Sequence, residues 1–125
     1  MAIEPRKTIF WLGDSKRRVR GFPEDVRDEI GYALFKAEHG EKHPSAHRMQ
    51  GINAVEIVSG YDGDTFRGVY TTKFEDAVYV LHCFQKKSKK GAETPKPDLD
   101  LIKKRLQDAK LHYEASKKHG SENKS

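Results

Sequence analysis

The sequence predicts a small α+β domain in which helices cover a curved, mainly antiparallel sheet. Three observations support this prediction. Three strand-like segments follow one another between residues 54 and 85, with only short turns between them. A helical segment with one apolar face precedes them, and a second follows them. A further strand near the N-terminus is expected to complete the sheet, and 125 residues are enough to bury one core.

The N-terminal region supplies one strand and a short basic turn. The apolar run Lys7–Leu12 predicts the strand, which ends at a Gly-Asp pair. Residues 15–20 follow as a basic helical turn, and we expect Asp14 or Ser15 to cap it.

A longer helix is predicted over residues 23–39. A proline in its first turn and two acidic residues directly after it favour a helix start. Its apolar residues recur at helical spacing: Val26, Ile30, Ala33, Leu34 and Ala37. Gly31 lowers the helix propensity, and we interpret it as a point of close packing on the sheet. The polar connection 40–53 is expected to contain a short helical turn near 45–49.

Three adjoining strands predict a β-meander. They cover Ala54–Ser59, Thr65–Phe74 and Ala77–Gln85. An Asp-Gly pair at residues 62–63 predicts a hairpin turn between the first two strands, and residues 75–76 form a second tight turn. Strands joined by such short turns must be antiparallel.

The third strand ends in the strongest concentration of charge. Val78–Phe84 is almost uninterrupted apolar sequence, which suits a strand covered on both faces. Between Gln85 and Arg105 there are eight basic and three acidic residues, an excess that equals the +5 net charge of the whole chain. This local excess indicates a polyanionic partner. The alternative is a solvated, lysine-rich turn before an ordinary helix.

A second amphipathic helix is predicted after the lysine-rich segment. Thr94 and Pro95 have the residue types of an N-cap and a first helical position. One apolar stripe follows at helical spacing: Leu99, Ile102, Leu106, Ala109 and Tyr113. Residues 116–125 contain no apolar side chain and are expected to be disordered, which makes 1–115 the single domain.

Composition argues against several classes of protein. The one cysteine, Cys83, cannot form a disulfide within the chain and fits a cytoplasmic protein. Residues 1–20 lack the apolar segment typical of a signal peptide, and no apolar run approaches membrane-spanning length, so no membrane contact is expected. His43 and His47 have the spacing of metal ligands on a helix. Pro44 lies between them and no carboxylate or thiolate is near, so no metal or other cofactor is expected.

Four segments in a fixed order carry a family resemblance: PEDVRDEIGYALFKAEHG, VEIV, TFRGVYTTKF and AVYVLHCFQKKSKKGAETP. The most specific parts are the Arg67-x-x-Tyr70 pair and the run LHCFQKK from residue 81 to 87. Over residues 5–110 the chain resembles the phage-related HigB-type toxins of the RelE/ParE toxin superfamily. Val58 departs from the pattern, because many relatives carry an arginine at that position.

The resemblance implies the toxin of a type II toxin–antitoxin pair that cuts mRNA in the ribosomal A site. The implied partners are mRNA, ribosomal RNA and a cognate helix-turn-helix antitoxin. Operator DNA would be bound only through the antitoxin. Attack by the 2′-OH needs no metal, but it needs a base, cations beside the phosphate and an acid for the leaving oxygen. Two alternatives remain open: a gyrase-inhibiting, ParE-like toxin without nuclease activity, and a non-toxic remnant that binds nucleic acid.

Arg67 is the first candidate catalytic residue, because its planar guanidinium can stabilise a phosphate. The alternatives for Arg67 are an exposed side chain or an ion pair with Glu56. Lys86 and Lys87 are the other catalytic candidates. Successive strand residues point to opposite faces, so only one of the two lysines is expected to reach the site. Lys86 would share the face of Phe84.

Six further basic residues are candidates for RNA contact: Lys89, Lys90, Arg48, His47, His43 and Lys73. Strand alternation places the last of these on the same face as Arg67. His82 lies in mid-strand among apolar residues and is interpreted as a core histidine with a hydrogen-bond partner.

Overall fold

A computed structural model describes residues 6–86 and 94–122 of the chain. Within these ranges the strands are β1 (Thr8–Trp11), β2 (Ala46–Arg48), β3 (Val55–Tyr61), β4 (Asp64–Thr71) and β5 (Ala77–Lys86). The helices there are α1 (Ser15–Arg20), α2 (Glu24–Glu38) and α3 (Lys96–Glu122).

The strands form one sheet in the order β1-β5-β4-β3-β2. β1 pairs with β5 in parallel, and every other neighbouring pair is antiparallel. The predicted α+β class, the N-terminal strand and the β-meander are therefore confirmed. β5 lies inside the sheet with helices on both of its faces, which explains its nearly continuous apolar sequence.

Two apolar clusters lie on opposite faces of the sheet. The α2 face carries Ile57 and Val78, and α2 packs on it with its predicted apolar side chains. The α3 face carries Val69 and Leu81, and the predicted stripe of α3 covers it, with Ile102 fully buried. Each fully buried aliphatic side chain of this kind stabilises the fold by about 1.5–3 kcal/mol.

A β-bulge in β5 changes which side chains face α3. Leu81 is the extra residue, because His82 and Val80 are paired with consecutive residues of β4. Leu81 packs in the α3-face cluster, and His82 stacks on Phe84 of the same cluster. Two successive side chains of β5 therefore point towards α3, which brings a polar ring into an otherwise apolar layer.

Close packing of α2 on the sheet depends on Gly68 of β4. A Cβ atom at Gly68 would meet methyl groups of Ile57 at 3.3 Å and of Ile30 at 3.4 Å. Gly31 is exposed, and a Cβ atom there would meet nothing within 4 Å. The interpretation of Gly31 as the packing glycine is therefore wrong, because its position on α2 faces away from the sheet.

The segment after α2 contains an edge strand where the sequence predicts a helical turn near 45–49. Ala46 pairs with Ile57 and Arg48 pairs with Val55, which forms β2. Three residues have little intrinsic preference, so the open edge of β3 decides their conformation.

Helix α3 continues past the predicted domain end at residue 115, through most of the segment 116–125 that composition predicts to be disordered. Lys117 extends from this part of the helix to Asp76, with 2.6 Å between the amine and the carboxylate. The same amine lies 5.4 Å from the centroid of the Tyr113 ring. A polar helix can therefore be anchored through side-chain contacts that composition does not reveal.

Candidate functional site

The α3 face carries three predicted site residues, each on a different strand. Directly paired residues of antiparallel strands point to the same face of a sheet. Arg67 of β4 pairs with Phe84 of β5, and Lys86 lies two residues further along β5 on the same side. His47 of β2 pairs with Glu56 of β3 on this face as well. Arg67, Lys86 and His47 therefore share the α3 face.

Arg67 is buried and ion-paired. Its side chain is 5% exposed, and Nη1 donates to Oε1 of Glu56 at 2.9 Å. The other carboxylate oxygen of Glu56 accepts a bond of 3.2 Å from the hydroxyl of Thr94. Of the interpretations drawn from the sequence, the pairing of Arg67 with Glu56 is confirmed. A phosphate that approaches this face would have to compete with the carboxylate for the guanidinium.

The candidate lysines lie at the end of β5 and beyond it. Lys86 is 7% exposed, and its backbone carbonyl accepts a hydrogen bond of 3.3 Å from the hydroxyl of Thr65. Lys87, Lys89 and Lys90 lie outside the described residues. Their roles stay predictions.

His82 is confirmed as a core histidine with a polar partner. It is 1% exposed, and its Nε2 donates to Oδ1 of Asp98 on α3 at 2.7 Å. Burial lowers the pKa of His82, and the hydrogen bond to Asp98 opposes this shift. The bond holds the first turns of α3 against the sheet.

We expect the His82 ring to titrate below its ordinary pKa of 6.5. The unfolded chain then binds more protons than the folded chain, so the free energy of unfolding should fall as the pH is lowered through about 6.5. NMR titration of the ring gives the pKa, with the urea-unfolded chain as the reference. A His82→Asn variant should show a flatter dependence of stability on pH. A ring pKa at or above that of the unfolded chain would contradict the assignment.

A second charged network joins α1, β5 and α3. Arg105 donates through Nη1 to the backbone carbonyl of Leu81 and through Nη2 to Oδ1 of Asp14, both at 2.9 Å. Arg18 donates to Oδ2 of Asp14 at 2.7 Å. The guanidinium groups of Arg18 and Arg105 hold the pKa of Asp14 well below its usual range.

Neither Asp14 nor Ser15 forms the predicted side-chain cap of α1, so that prediction is wrong. The sequence also did not predict this network. The Asp14 carboxylate binds guanidinium groups and makes no capping bond, and the Ser15 hydroxyl donates to the Val80 carbonyl. The spacing of Asp14 and Arg18, four residues apart on a helical turn, could have indicated their pairing. No local signal relates either residue to Arg105, which lies far along the chain.

An open cleft lies on the α3 face beside the edge strand β2, and we call it the front cleft. Its volume is about 400 Å³. Its lining consists of His47, Arg48, Met49, Gln50, Glu56, Thr94 and Leu99. Two candidate RNA-binding residues thus border a cleft together with the carboxylate that pairs with Arg67.

The remaining described candidates lie elsewhere. The ring of His43 packs edge-on against Tyr32 of α2, with 5.6 Å between centroids, and its Nδ1 accepts a bond from the backbone of Ser45. The amine of Lys73 lies 5.3 Å from the centroid of the Phe74 ring. Neither His43 nor Lys73 lines the front cleft.

Two other kinds of site, a metal centre and a membrane-spanning helix, do not occur in the part of the chain that the structure describes. There, no group of three or more His, Cys, Asp or Glu side chains could hold a metal ion. None of the helices described has the length and apolarity needed to cross a membrane. Burial raises the pKa of the Cys83 thiol to about 12, which keeps it protonated and unreactive at neutral pH.

Comparison with known proteins gives one family match. The model of a family described as phage-derived protein Gp49-like (DUF891) matches residues 17–107, which extend from α1 into α3. No curated protein matches the chain significantly. The match covers well over half of the sequence and includes β2 to β5, which carry the α3 face. The chain therefore belongs to the Gp49-like family of phage-derived proteins, which is a RelE/ParE-like toxin family.

Proposed function

We propose that this protein is the toxin of a type II toxin–antitoxin pair, of the HigB type, and that it cleaves mRNA on the ribosome. The observation that carries the proposal is that Arg67, Lys86 and His47 lie on one sheet face, and that His47 and the ion-pair partner of Arg67, Glu56, line the front cleft. Membership of a RelE/ParE-like toxin family supports it.

In the proposed reaction, the ribose 2′-OH attacks the neighbouring phosphate and the 5′-oxygen leaves. The guanidinium of Arg67 stabilises the charge that develops on the phosphate, with Lys86 as a second cation. His47 and Glu56 border the front cleft and are the groups there that can accept a proton. Binding of the phosphate would exchange the Arg67–Glu56 ion pair for an Arg67–phosphate pair and release the carboxylate. The chemistry requires no metal.

The proposed partners follow from charge and from the family. The basic residues after β5 would hold the phosphates of ribosomal RNA, so binding to ribosomes should weaken steeply with salt. A cognate helix-turn-helix antitoxin would neutralise the toxin and would provide its only link to operator DNA.

The test is a reconstituted translation reaction with purified protein and mapping of the new mRNA ends. We expect cuts between codons of the message on ribosomes. Naked mRNA of the same sequence serves as the control and should be cut far more slowly. A message that stays intact on stalled or active ribosomes would contradict the proposal.

Two other outcomes would assign a different function. Breaks in supercoiled DNA in the presence of gyrase, with intact mRNA, would identify a gyrase-inhibiting toxin of the same fold. Normal growth during induced expression of folded protein would identify a non-toxic remnant.

A further inference from the structure

A second cleft lies on the α2 face, between the end of α2 and the strands β3 and β4, and we call it the back cleft. Its volume is about 220 Å³. Three cationic side chains line it: Lys7, Lys42 and Arg48. The one carboxylate in the lining, Glu41, is 62% exposed and pairs with Lys36 at 3.4 Å. The lining therefore has an excess of positive charge.

A tyrosine hydroxyl that is accessible from the cleft also borders the back cleft. Tyr70 is 3% exposed and lines the cleft, with its ring in the α2-face cluster. Its hydroxyl makes no hydrogen bond to any residue in the described ranges 6–86 and 94–122. Burial raises the pKa of Tyr70, so the hydroxyl keeps its proton and can donate. A hydroxyl that is accessible from the cleft and bonded to none of these residues is available to donate to a ligand that accepts a hydrogen bond.

The C-terminal end of α2 borders this cleft, and free carbonyl groups at a helix end would repel an anion. At the end of α2 this repulsion is reduced, because several of the carbonyl groups accept hydrogen bonds. The carbonyl of Lys36 accepts bonds from the backbone of His39 and Glu41, and the carbonyl of Ala37 accepts one from Gly40. These bonds direct the last carbonyl groups of α2 back into the turn.

Arg48 connects the two clefts, because it lines both of them at the edge strand β2. Its neighbour His47 pairs with Glu56 towards the front cleft, whereas Arg48 pairs with Val55 towards the back cleft. An extended chain bound in the front cleft can therefore pass over the β2 edge and reach the back cleft. A nucleic acid carries a phosphate at every step of such a path.

We propose that the back cleft binds a backbone phosphate of the RNA, with Tyr70, Lys42 and Arg48 as its donors. The inference rests on the proposed RNA-cleaving function and adds a subsite outside the cleavage face. A phosphate accepts hydrogen bonds from hydroxyl, ammonium and guanidinium groups together, which matches the three donors.

The test measures binding of a 2′-O-methyl RNA hexamer, which cannot be cleaved, by fluorescence anisotropy at two salt concentrations. Tyr70→Phe should weaken binding about tenfold, because it removes one hydrogen bond to a charged group. Lys42→Ala should weaken binding. It should also reduce the steepness of the plot of log binding constant against log salt concentration by about one, which corresponds to one counterion. The matched controls are Tyr61→Phe and Lys110→Ala, at exposed positions outside both clefts, and they should bind as the wild type does.

Stability measurements separate this subsite from a structural role. Tyr70→Phe keeps the ring and removes a hydroxyl without a protein partner, so its free energy of unfolding should equal or exceed that of the wild type. Unchanged hexamer binding in both cleft variants would overturn the subsite, even if messages are cut on ribosomes. Binding of inorganic phosphate is the second measurement. Cleft variants that lose phosphate binding but bind the hexamer as the wild type does would also overturn the subsite, because the cleft would then hold a free anion and not the RNA. Weaker hexamer binding in the cleft variants would support it whether or not the message is cleaved.

Discussion

Arg67→Ala lowers the free energy of unfolding by about 3–5 kcal/mol, because it leaves the Glu56 carboxylate without its cation in a nearly buried place. Small domains have only about 5–15 kcal/mol of stability in total, so this loss leaves the variant marginally folded. Urea unfolding followed by circular dichroism measures the change. Arg48→Ala is the matched control, since Arg48 is an exposed arginine on the edge strand β2 and should change stability by less than about 0.5 kcal/mol.

A double-mutant cycle isolates the contribution of the ion pair. Glu56→Gln keeps the shape of the side chain and removes its charge, so Arg67→Ala should cost less in that background. The expected coupling between the two positions is about 1–3 kcal/mol. A loss below about 1 kcal/mol for Arg67→Ala would match an exposed ion pair and would contradict its burial.

Loss of toxicity in Arg67→Ala would therefore not identify a catalytic role, because the variant is unstable. Arg67→Lys keeps a cation near Glu56 and removes the planar guanidinium. We expect this variant to remain folded and to cut mRNA on ribosomes at least about a hundredfold more slowly, the size of effect seen when one donor to a reacting oxyanion is lost. A folded Arg67→Lys with the wild-type cleavage rate would exclude Arg67 from the proposed chemistry.

Arg105→Ala is the second change with a large expected effect, a loss of about 2–4 kcal/mol in the free energy of unfolding. The substitution leaves the Leu81 carbonyl at the bulge without its donor and Asp14 without one of its three guanidinium partners. It also removes the contact that joins α3 to the turn before α1. Thermal or urea unfolding measures the loss, and Lys103→Ala, an exposed cation on the same helix, is the control.

The pH dependence of this loss tests the part played by Asp14. The pKa of Asp14 is lowered in the folded state, so its stabilising effect is complete above the ordinary value of 3.8 and is lost as the pH falls further. The difference in stability between wild type and Arg105→Ala should therefore shrink in strong acid. A difference that stays constant down to the acid unfolding transition would show that the carboxylate is not involved.

Local pattern predicted most of the secondary structure. Helix α2, the β-meander and the apolar stripe of α3 follow from periodicity and turn residues, which act over a few positions. The prediction fails where a distant partner decides the conformation. Residues 46–48 become a strand because β3 offers an open edge, and α3 extends to Glu122 with Lys117 bonded to Asp76.

The candidate site was predicted in part. Strand alternation placed Arg67 and Lys86 on their faces correctly, because the side-chain period of a strand is a local property. The burial of Arg67, the contact of His82 with Asp98 and the role of Arg105 depend on how α3 lies across the sheet. No short stretch of sequence contains that information.

By itself, the sequence determined the class of fold, the basic region after β5 and the family to which the chain belongs, since composition, periodicity and ordered motifs are all written along the chain. Only the tertiary structure decided which cations are buried against carboxylates and which border a cleft. The physical reason is that ion pairs such as Arg67–Glu56 and Arg105–Asp14, and the hydroxyl of Tyr70 beside Lys42 and Arg48, depend on which strands and helices become neighbours.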